Sequence, residues 1–276
     1  MLLFWNVRSN TNKNNPTYPI ERMEISPEGD DMIELYKAAG SGCMITLSRL
    51  KEKDPHFLHR ISLTSFSETP LHISALVGHL EFSKALLLIK PQLAGELDSH
   101  NRCPLHLASA EGHIEITQVL LHANNNACFI CDKDGRIPLH YAAQRGRVDV
   151  VRELISVQPN STRVMVDGKE TILHLCVKYD QLEALKLLVE SVSDEGEFLT
   201  SKDHISGNTI FHLAVILKQI EVSFILFFTL KKIIFCIIYI ENTYVLSYRT
   251  YISFDDIRIF MWLAMILEYT YGWVIG

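Results

Sequence analysis

Apolar residues along this chain recur at helical spacing, in short and long runs that alternate. A short run at 71–76 is followed by Gly78 and a longer run at 80–88, and further long runs follow at 114–121, 148–155 and 182–189. Apolar residues three and four positions apart lie on one face of an α-helix, so each run predicts a helix with one buried face. The chain is therefore predicted to consist of paired helices, a short one followed by a longer one.

A four-residue motif ending in histidine opens each short helix. Its copies stand at 69–72, 103–106, 137–140, 171–174 and 209–212, and their histidines are spaced 34, 34, 34 and 38 residues apart. A period of this size marks a chain built from one stacked unit. We predict units at about 67–100, 101–134, 135–168, 169–206 and 207–229, after a degenerate first unit at about 32–66 that lacks the motif.

Each part of the unit has a physical cause. Thr69 can cap a helix with its hydroxyl, and Pro70 suits the first helical turn, where no N–H is needed. Gly78, six residues after the histidine, marks a helix end in the left-handed conformation that glycine adopts cheaply. The last two units carry Asp180 and Lys218 instead. We expect those two units to be less regular.

The most complete copy of the unit is residues 132–143, Asp-Lys-Asp-Gly-Arg-Ile-Pro-Leu-His-Tyr-Ala-Ala. Its first four residues are turn formers and predict a projecting hairpin between units. This sequence resembles the ankyrin repeat. The resemblance covers about residues 32–229 and implies an all-α repeat solenoid of about six units, made of helix-turn-helix pairs and hairpin loops, that binds other proteins.

The repeat region is also similar to that of plant ankyrin-repeat membrane proteins of the accelerated-cell-death kind. That resemblance implies a cytoplasmic stack, attached at the cytosolic face of the plasma membrane, that acts in defence signalling. The Pro-Gly-Gly motif of their membrane domain is absent here. Two functions follow as alternatives: a protein-interaction scaffold or adaptor, or the cytosolic sensor of a multi-span membrane signalling or channel-like protein.

Charge and composition remove other function classes. The net charge is −6 and the basic residues form no block, which argues against nucleic acid as a partner. The six cysteines are scattered, as expected in a reducing compartment. No nucleotide-binding loop, metalloprotease motif or nucleophile elbow occurs, so we predict no catalytic residue, no cofactor and no small-molecule substrate.

The recurrent histidines invite a metal or acid–base hypothesis. Stacked helices lie about 8–10 Å apart, whereas ligands of one zinc ion approach it to about 2.0–2.1 Å. We therefore predict a structural role, in which each ring ties the hairpin to the short helix and holds its unit together. The residues concerned are His72, His106, His140, His174 and His212. The pair Cys128 and Cys131 has the spacing of a zinc motif but lacks a second pair.

Recognition is expected on the concave side of the stack, which we call the inner face. It comprises the hairpin tips and the exposed side of the short helices, where packing does not dictate the residue type. Arginine and tyrosine anchor interfaces disproportionately. The candidate binding residues are Asn101, Arg102 and Arg136 at the tips, and Glu111, Gln144, Arg145, Lys178 and Tyr179 on the short helices.

Both ends of the chain differ from the repeats. Residues 1–31 are rich in asparagine and proline and predict a disordered leader, in which Met23 is an alternative start to Met1. Residues 230–276 form a hydrophobic tail. Residues 222–276 raise two interpretations: membrane association, or sequence from a retained intron that begins at Val222. The last unit should complete its long helix to about Thr229, exposing Phe224 as part of an apolar patch.

Overall fold

The structure is a computed structural model that describes residues 27–54, 57–58, 68–167, 170–191, 196–203, 206–227 and 229. Helices in this part of the chain come in pairs. The pairs are α1 (Pro27–Ser41) with α2 (Met44–Lys53), α3 (Pro70–Val77) with α4 (Leu80–Ile89), α5 (Pro104–Glu111) with α6 (Ile114–Ala123), α7 (Pro138–Gln144) with α8 (Val148–Val157), and α9 (Ile172–Lys178) with α10 (Leu182–Ser191). They are followed by α11 (Gly196–Thr200), α12 (Ile210–Ile216) and α13 at residues 220–227.

The pairs stack in two layers. The inner layer runs from α1 through α3, α5, α7 and α9 to α12, and the outer layer runs from α2 through α4, α6 and α8 to α10. The motif leucine of four units, Leu71, Leu105, Leu139 and Leu173, is completely or almost completely buried between the layers. The expected all-α repeat solenoid is confirmed.

The segments between units are short. The outer helices α4, α6 and α8 are each followed by a 3-10 turn, at Pro91–Gly95, Asn125–Phe129 and Pro159–Arg163. The predicted hairpins follow as tight turns, in which the Asp132 N–H donates to the Arg136 carbonyl at 2.9 Å. Among the described residues, β-pairing is limited to two isolated bridges, Val166 with Glu170 and Lys202 with Thr209.

The predicted helix ends are present. Thr69 caps α3, with its hydroxyl accepting from the His72 N–H at 3.4 Å. Gly78 ends α3 with φ at +98°, in the left-handed region. Asp180 and Lys218 take the same region, both with φ at +57°, although they lack glycine's freedom. The last two units therefore keep the turn that we expected to be irregular.

Two segments differ from the sequence-based expectation. Helix α1 begins at Pro27, inside the predicted leader 1–31, while residues 1–26, with both candidate start methionines, lie outside the described residues. The fourth unit has an insertion of four residues and contains the additional helix α11, beyond the predicted pair of one short and one long helix. Its Leu199 is buried against the core, which explains why a short helix forms in that insertion.

The last described unit is completed by α13. Val222 and Leu226 are buried in the core, as expected for an outer helix of the unit. Phe224, expected to be exposed, is half-buried, and the exposed apolar residues of this unit are Val215, Ile216, Leu217 and Ile220. Within the described residues, no helix is both long and apolar enough to span a membrane. Residues 230–276 lie outside them.

The glycine at the end of α3 generates a stability prediction. A Cβ at Gly78 would lie 2.6 Å from Cε1 of His113, whereas a Cβ at Gly40, inside α1, would meet only Ile73 at 3.9 Å. We expect Gly78→Ala to lower the free energy of unfolding by at least about 1–2 kcal/mol, the usual penalty of the left-handed conformation. Gly40→Ala should raise it by roughly 0.5–1 kcal/mol, because alanine is the better helix former.

Urea unfolding followed by far-UV circular dichroism measures both variants. Equal midpoints for Gly78→Ala and the unmodified protein would contradict the assignment of this glycine to a strained, crowded position.

Candidate functional site

The motif histidines His72, His106 and His174 each link two consecutive units, whereas the ring of His140 bonds within its own unit. Nδ1 of His140 accepts a hydrogen bond from the backbone N–H of Ile137 at 3.1 Å, so the ring proton must reside on Nε2. Nε2 then donates to the carbonyl of Val164, near the end of the same unit, at 2.9 Å. The corresponding donations of His72 to Arg102, His106 to Arg136 and His174 to Asn208 measure 2.9, 3.1 and 3.1 Å.

This arrangement extends the role expected for these rings. The sequence analysis placed the ring between the hairpin and the short helix of one unit, but for His72, His106 and His174 the acceptor carbonyl belongs to the next unit. His212 is the last of the series. Among the described residues, its ring bonds to Thr209 through Nδ1 at 2.8 Å.

The histidine rings are held in the neutral form. Burial lowers the pKa of His72, His106 and His140 to about 4, despite the opposing effect of the carbonyl that accepts from each ring. Burial also lowers the pKa of His174. A protonated Nδ1 would lose its ability to accept from the backbone N–H of its own unit. The link between units therefore depends on neutral rings.

A second series of inter-unit hydrogen bonds points the opposite way, at the turn between the two helices. Its donors follow the inter-helix glycine position, and each bonds a carbonyl of the preceding unit. His79 donates to Gly40 at 3.0 Å, His113 to Leu76 at 3.1 Å, Arg147 to Ala110 at 3.1 Å and Gln219 to Val177 at 2.8 Å. The sequence analysis missed these residues, although a side-chain donor recurs at that position in every full unit, with Gln181 in the fourth.

At the hairpin tips, buried aspartates organise the backbone. Asp98 Oδ1 accepts from the N–H groups of His100 and Arg102, both at 2.8 Å. Although burial alone raises the pKa of Asp98, the hydrogen bonds from Arg102 and His100 outweigh it and hold the pKa below its ordinary value. Asn101 lies exposed at the tip, with φ at +61°. These hydrogen bonds therefore hold the backbone of the tip, at which Asn101 is exposed.

The two tip arginines are held differently. Arg102 pairs with Oδ2 of Asp98 at 2.7 Å and lies 3.6 Å from Glu68. In the next unit, the equivalent Oδ2 of Asp132 accepts instead from the hydroxyl of Tyr141 at 2.6 Å. Arg136 is left with Asp134 at 3.9 Å, and its buried Nε has no hydrogen-bond partner among the described residues.

The candidate residues on the inner helices are partly engaged within the chain. Arg145 forms an ion pair with Glu111 of the preceding unit, and Lys178 pairs with Glu170 at 3.1 Å. Gln144 is half-buried, and Tyr179 is exposed to 38%. The structure thus brings Glu111 and Arg145 together. Both ion pairs are at least partly solvated, so each stabilises the fold only weakly.

Tyr141 is a further inner-face residue that the sequence analysis did not select. Its ring packs edge-on against His106 of the preceding unit, with centroids 5.5 Å apart. Burial, followed by the hydrogen bond to Asp132, raises its pKa well above the ordinary range. In the other units the residue after the motif histidine is aliphatic, namely Ile73, Leu107, Leu175 or Leu213. A polar aromatic residue at this position was therefore the sequence signal that could have identified Tyr141.

The described residues show no group of three or more histidine, cysteine, aspartate or glutamate side chains arranged to hold a metal ion. Cys128 is buried in a 3-10 turn, and burial raises its pKa to about 11. Cys131 is exposed. A thiol with a raised pKa is a poor nucleophile and a poor metal ligand at neutral pH.

The neutral rings predict a pH-dependent stability. The pKa of His72, His106, His140 and His174 is lower in the folded chain than in the unfolded chain, whose histidines titrate near 6.5. As the pH falls below 6.5 the unfolded chain binds more protons, so stability is full above 6.5, is lost as the pH falls, and levels off below about 4. Between pH 6.5 and 5, ordinary carboxylates remain ionised and the loss reports on histidine.

Urea midpoints measured across pH 4 to 8 test this expectation. A midpoint that stays constant between pH 7 and 5 would contradict it.

Removing one ring should separate the linking histidines from the last one. His106→Ala leaves the Cys103 N–H and the Arg136 carbonyl without their partner, and we expect a loss of about 2–4 kcal/mol in the free energy of unfolding. His212→Ala is the matched control, since its described hydrogen bonds join only Thr209. Its effect, measured by the same urea titration, should be clearly smaller. Equal losses would contradict the linking role.

Comparison with known families agrees with this geometry. The family model described as "Ankyrin repeats (3 copies)" matches residues 35–129 and 121–203, which together span more than half of the chain. No curated protein matches the chain.

Proposed function

We propose that this chain, which belongs to the ankyrin-repeat family, is a scaffold that binds another protein through its inner face. Ankyrin repeats generally mediate protein–protein interaction, and proteins built from them are typically non-enzymatic. Repeat stacks suit this purpose because they present an extended surface whose outward residues are not needed for packing. The partner class is therefore proposed from the family, and the position of its binding site from the geometry of the inner face.

The proposal rests on the hydrogen-bonding environment of the Arg136 side chain. Its counterpart Arg102 is satisfied by two carboxylates, but Tyr141 occupies the acceptor that Arg136 would otherwise use. The Arg136 side chain is 30% exposed, with a buried Nε that lacks a partner in the described residues. An unmet guanidinium donor is costly, and a carboxylate is its best acceptor because two parallel hydrogen bonds form. The partner segment is expected to place an acidic side chain here.

The neighbouring unit supplies a different kind of contact. Tyr179 presents a partly exposed aromatic ring beside Lys178, whose ion pair with Glu170 is solvated. An aromatic ring of this kind offers large contact area at a low entropic cost. A partner that spans both units would therefore carry an acidic residue opposite Arg136 and an apolar residue opposite Tyr179.

Binding can use the ion pair between Glu111 and Arg145 without a large penalty. Exposed pairs of this type contribute roughly 0–1 kcal/mol. A partner carboxylate could replace Glu111, or a partner cation could replace Arg145, at little cost to the fold. The charged groups of the inner face are therefore already held in place, and a partner's charged group can still replace either member of this pair.

Intracellular signalling, including plant defence, is the proposed setting for this scaffold, and it rests on the resemblance of the repeat region. The second candidate function is the cytosolic sensor of a multi-span membrane signalling or channel-like protein. It is favoured by residues 222–240, which contain 13 valine, isoleucine, leucine or phenylalanine residues in 19. Lys231 and Lys232 in the middle of that segment oppose insertion. Full-length protein that resists carbonate extraction would favour the sensor, and release by carbonate would exclude it.

Substitutions on the inner face test the binding site. We expect Arg136→Ala and Tyr179→Ala in the full chain each to weaken partner binding by about 1–2 kcal/mol, a typical effect for anchoring residues. Arg152→Ala is the matched control, because Arg152 is exposed on the outer helix α8. Partners captured by each variant from cells are quantified by mass spectrometry, and affinity is then measured with the purified partner.

The proposal expects a set of partners that Arg152→Ala retains and that both inner-face variants lose. A partner set that depends on Arg152 and tolerates both inner-face substitutions would place the binding site on the outer helices instead.

A further inference from the structure

The two ends of the described stack differ in chemistry. At the N-terminal end, α1 and α2 are joined by two solvated ion pairs, between Arg49 and Glu34 and between Lys53 and Asp31. An end unit needs such polar groups because its outer side meets water instead of a neighbour. The first unit therefore has the chemistry of a closing unit.

The C-terminal end is apolar. Val215, Ile216, Leu217 and Ile220, which we call the end patch, are exposed to 43%, 61%, 43% and 60%. The equivalent of Val215 in the preceding unit, Val177, is fully buried, and the equivalent of Ile220, Leu182, packs against the core. The positions of Val215 and Ile220 are thus covered in the preceding unit, whereas the equivalents of Ile216 and Leu217, Lys178 and Tyr179, are exposed.

The hydrogen-bond series between units reaches the same point. His72, His106 and His174 donate through Nε2 to a carbonyl in the next unit, whereas the described bonds of the His212 ring stay within its own unit. A donor and an apolar surface are therefore both presented at this end. A single side chain that is exposed by chance would not account for both features at the same end of the stack.

We propose that residues 230–276 of the same chain cover the end patch and close the stack. The chain reaches this segment directly from α13, which begins at Ile220, so the segment starts about 15 Å of helix length away from the surface it would cover. The segment exceeds the 34-residue spacing of the units, so it is long enough to supply one further layer. Residues 230–276 therefore do not have to cross the rest of the stack to reach the end patch.

The composition of the segment fits a surface with one apolar and one polar side. Apolar and aromatic residues are interleaved with the charged residues Lys231, Lys232, Glu241, Arg249, Asp255, Asp256, Arg258 and Glu268. A closing element needs apolar residues toward the stack and charges toward water. A second copy of the chain or a lipid bilayer could also cover an apolar patch, and both are separate outcomes of the experiment below.

Tryptophan fluorescence tests this contact in the full chain. The three tryptophans are Trp5, Trp262 and Trp273, so a Trp5→Phe background leaves probes only in the proposed closing segment. In that background we expect short-wavelength emission and weak acrylamide quenching in aqueous buffer. Ile216→Ser with Ile220→Ser should shift the emission to longer wavelength and increase quenching. Leu88→Ser, on α4, should change neither, although Leu88 is 85% exposed.

The proposal is overturned if the background protein already shows the emission of tryptophan in water. It is also overturned if the emission is insensitive to the end-patch substitutions, or becomes short-wavelength only when phosphatidylcholine vesicles are added.

Photo-crosslinking provides a second measurement that leaves the fold intact. Val215 is replaced in the full chain by a benzophenone amino acid, and the irradiated protein is digested and analysed by mass spectrometry at dilute concentration. Crosslinks from position 215 to peptides of residues 230–276 within one chain are expected. Crosslinks between two chains, seen as a product of twice the mass, would assign the end patch to a second copy and overturn the proposal.

Discussion

The neutral histidine ring is the group on which this stack depends. His72 and His106 each accept from the backbone of their own unit and donate to the backbone of the next, as His72 does with Thr69 and Arg102. A ring can do both only when Nδ1 is free of a proton, and burial enforces that state. One side chain therefore caps a helix and fixes the distance between consecutive units. This double use explains why the histidine recurs while the residues around it change.

The glycine between the two helices follows from the same stacking. Its left-handed backbone ends the short helix, and its missing Cβ leaves room for the donor of the next unit, as Gly112 does for Arg147. That donor then bonds the Ala110 carbonyl, so a second link is made at the opposite end of the short helix. Two links of opposite direction restrain rotation between units. Because most polar groups of the motif form hydrogen bonds within the stack, Arg136 and Tyr179 are the residues that remain to bind a partner.

The sequence was sufficient for the parts of the structure that are local. Period, helix pairs, the cap at Thr69 and the left-handed turn at Gly78 all follow from residues close together in the chain. The contacts between units did not follow, because the acceptor for His106 lies in the next unit and is the backbone carbonyl of Arg136, which has no residue signature. The difference between Arg102 and Arg136 was likewise invisible, since it depends on where the Tyr141 hydroxyl points.

The protonation state of the motif histidines is the most direct test of the account. Long-range proton–nitrogen NMR correlation of the folded protein at pH 7 distinguishes the Nε2–H tautomer, the Nδ1–H tautomer and the imidazolium ion. The account predicts the Nε2–H tautomer for His72, His106 and His140, persisting on titration until the pH approaches 4. Nδ1–H tautomers, or titration of these rings near pH 6.5, would show that the rings do not link the units as described.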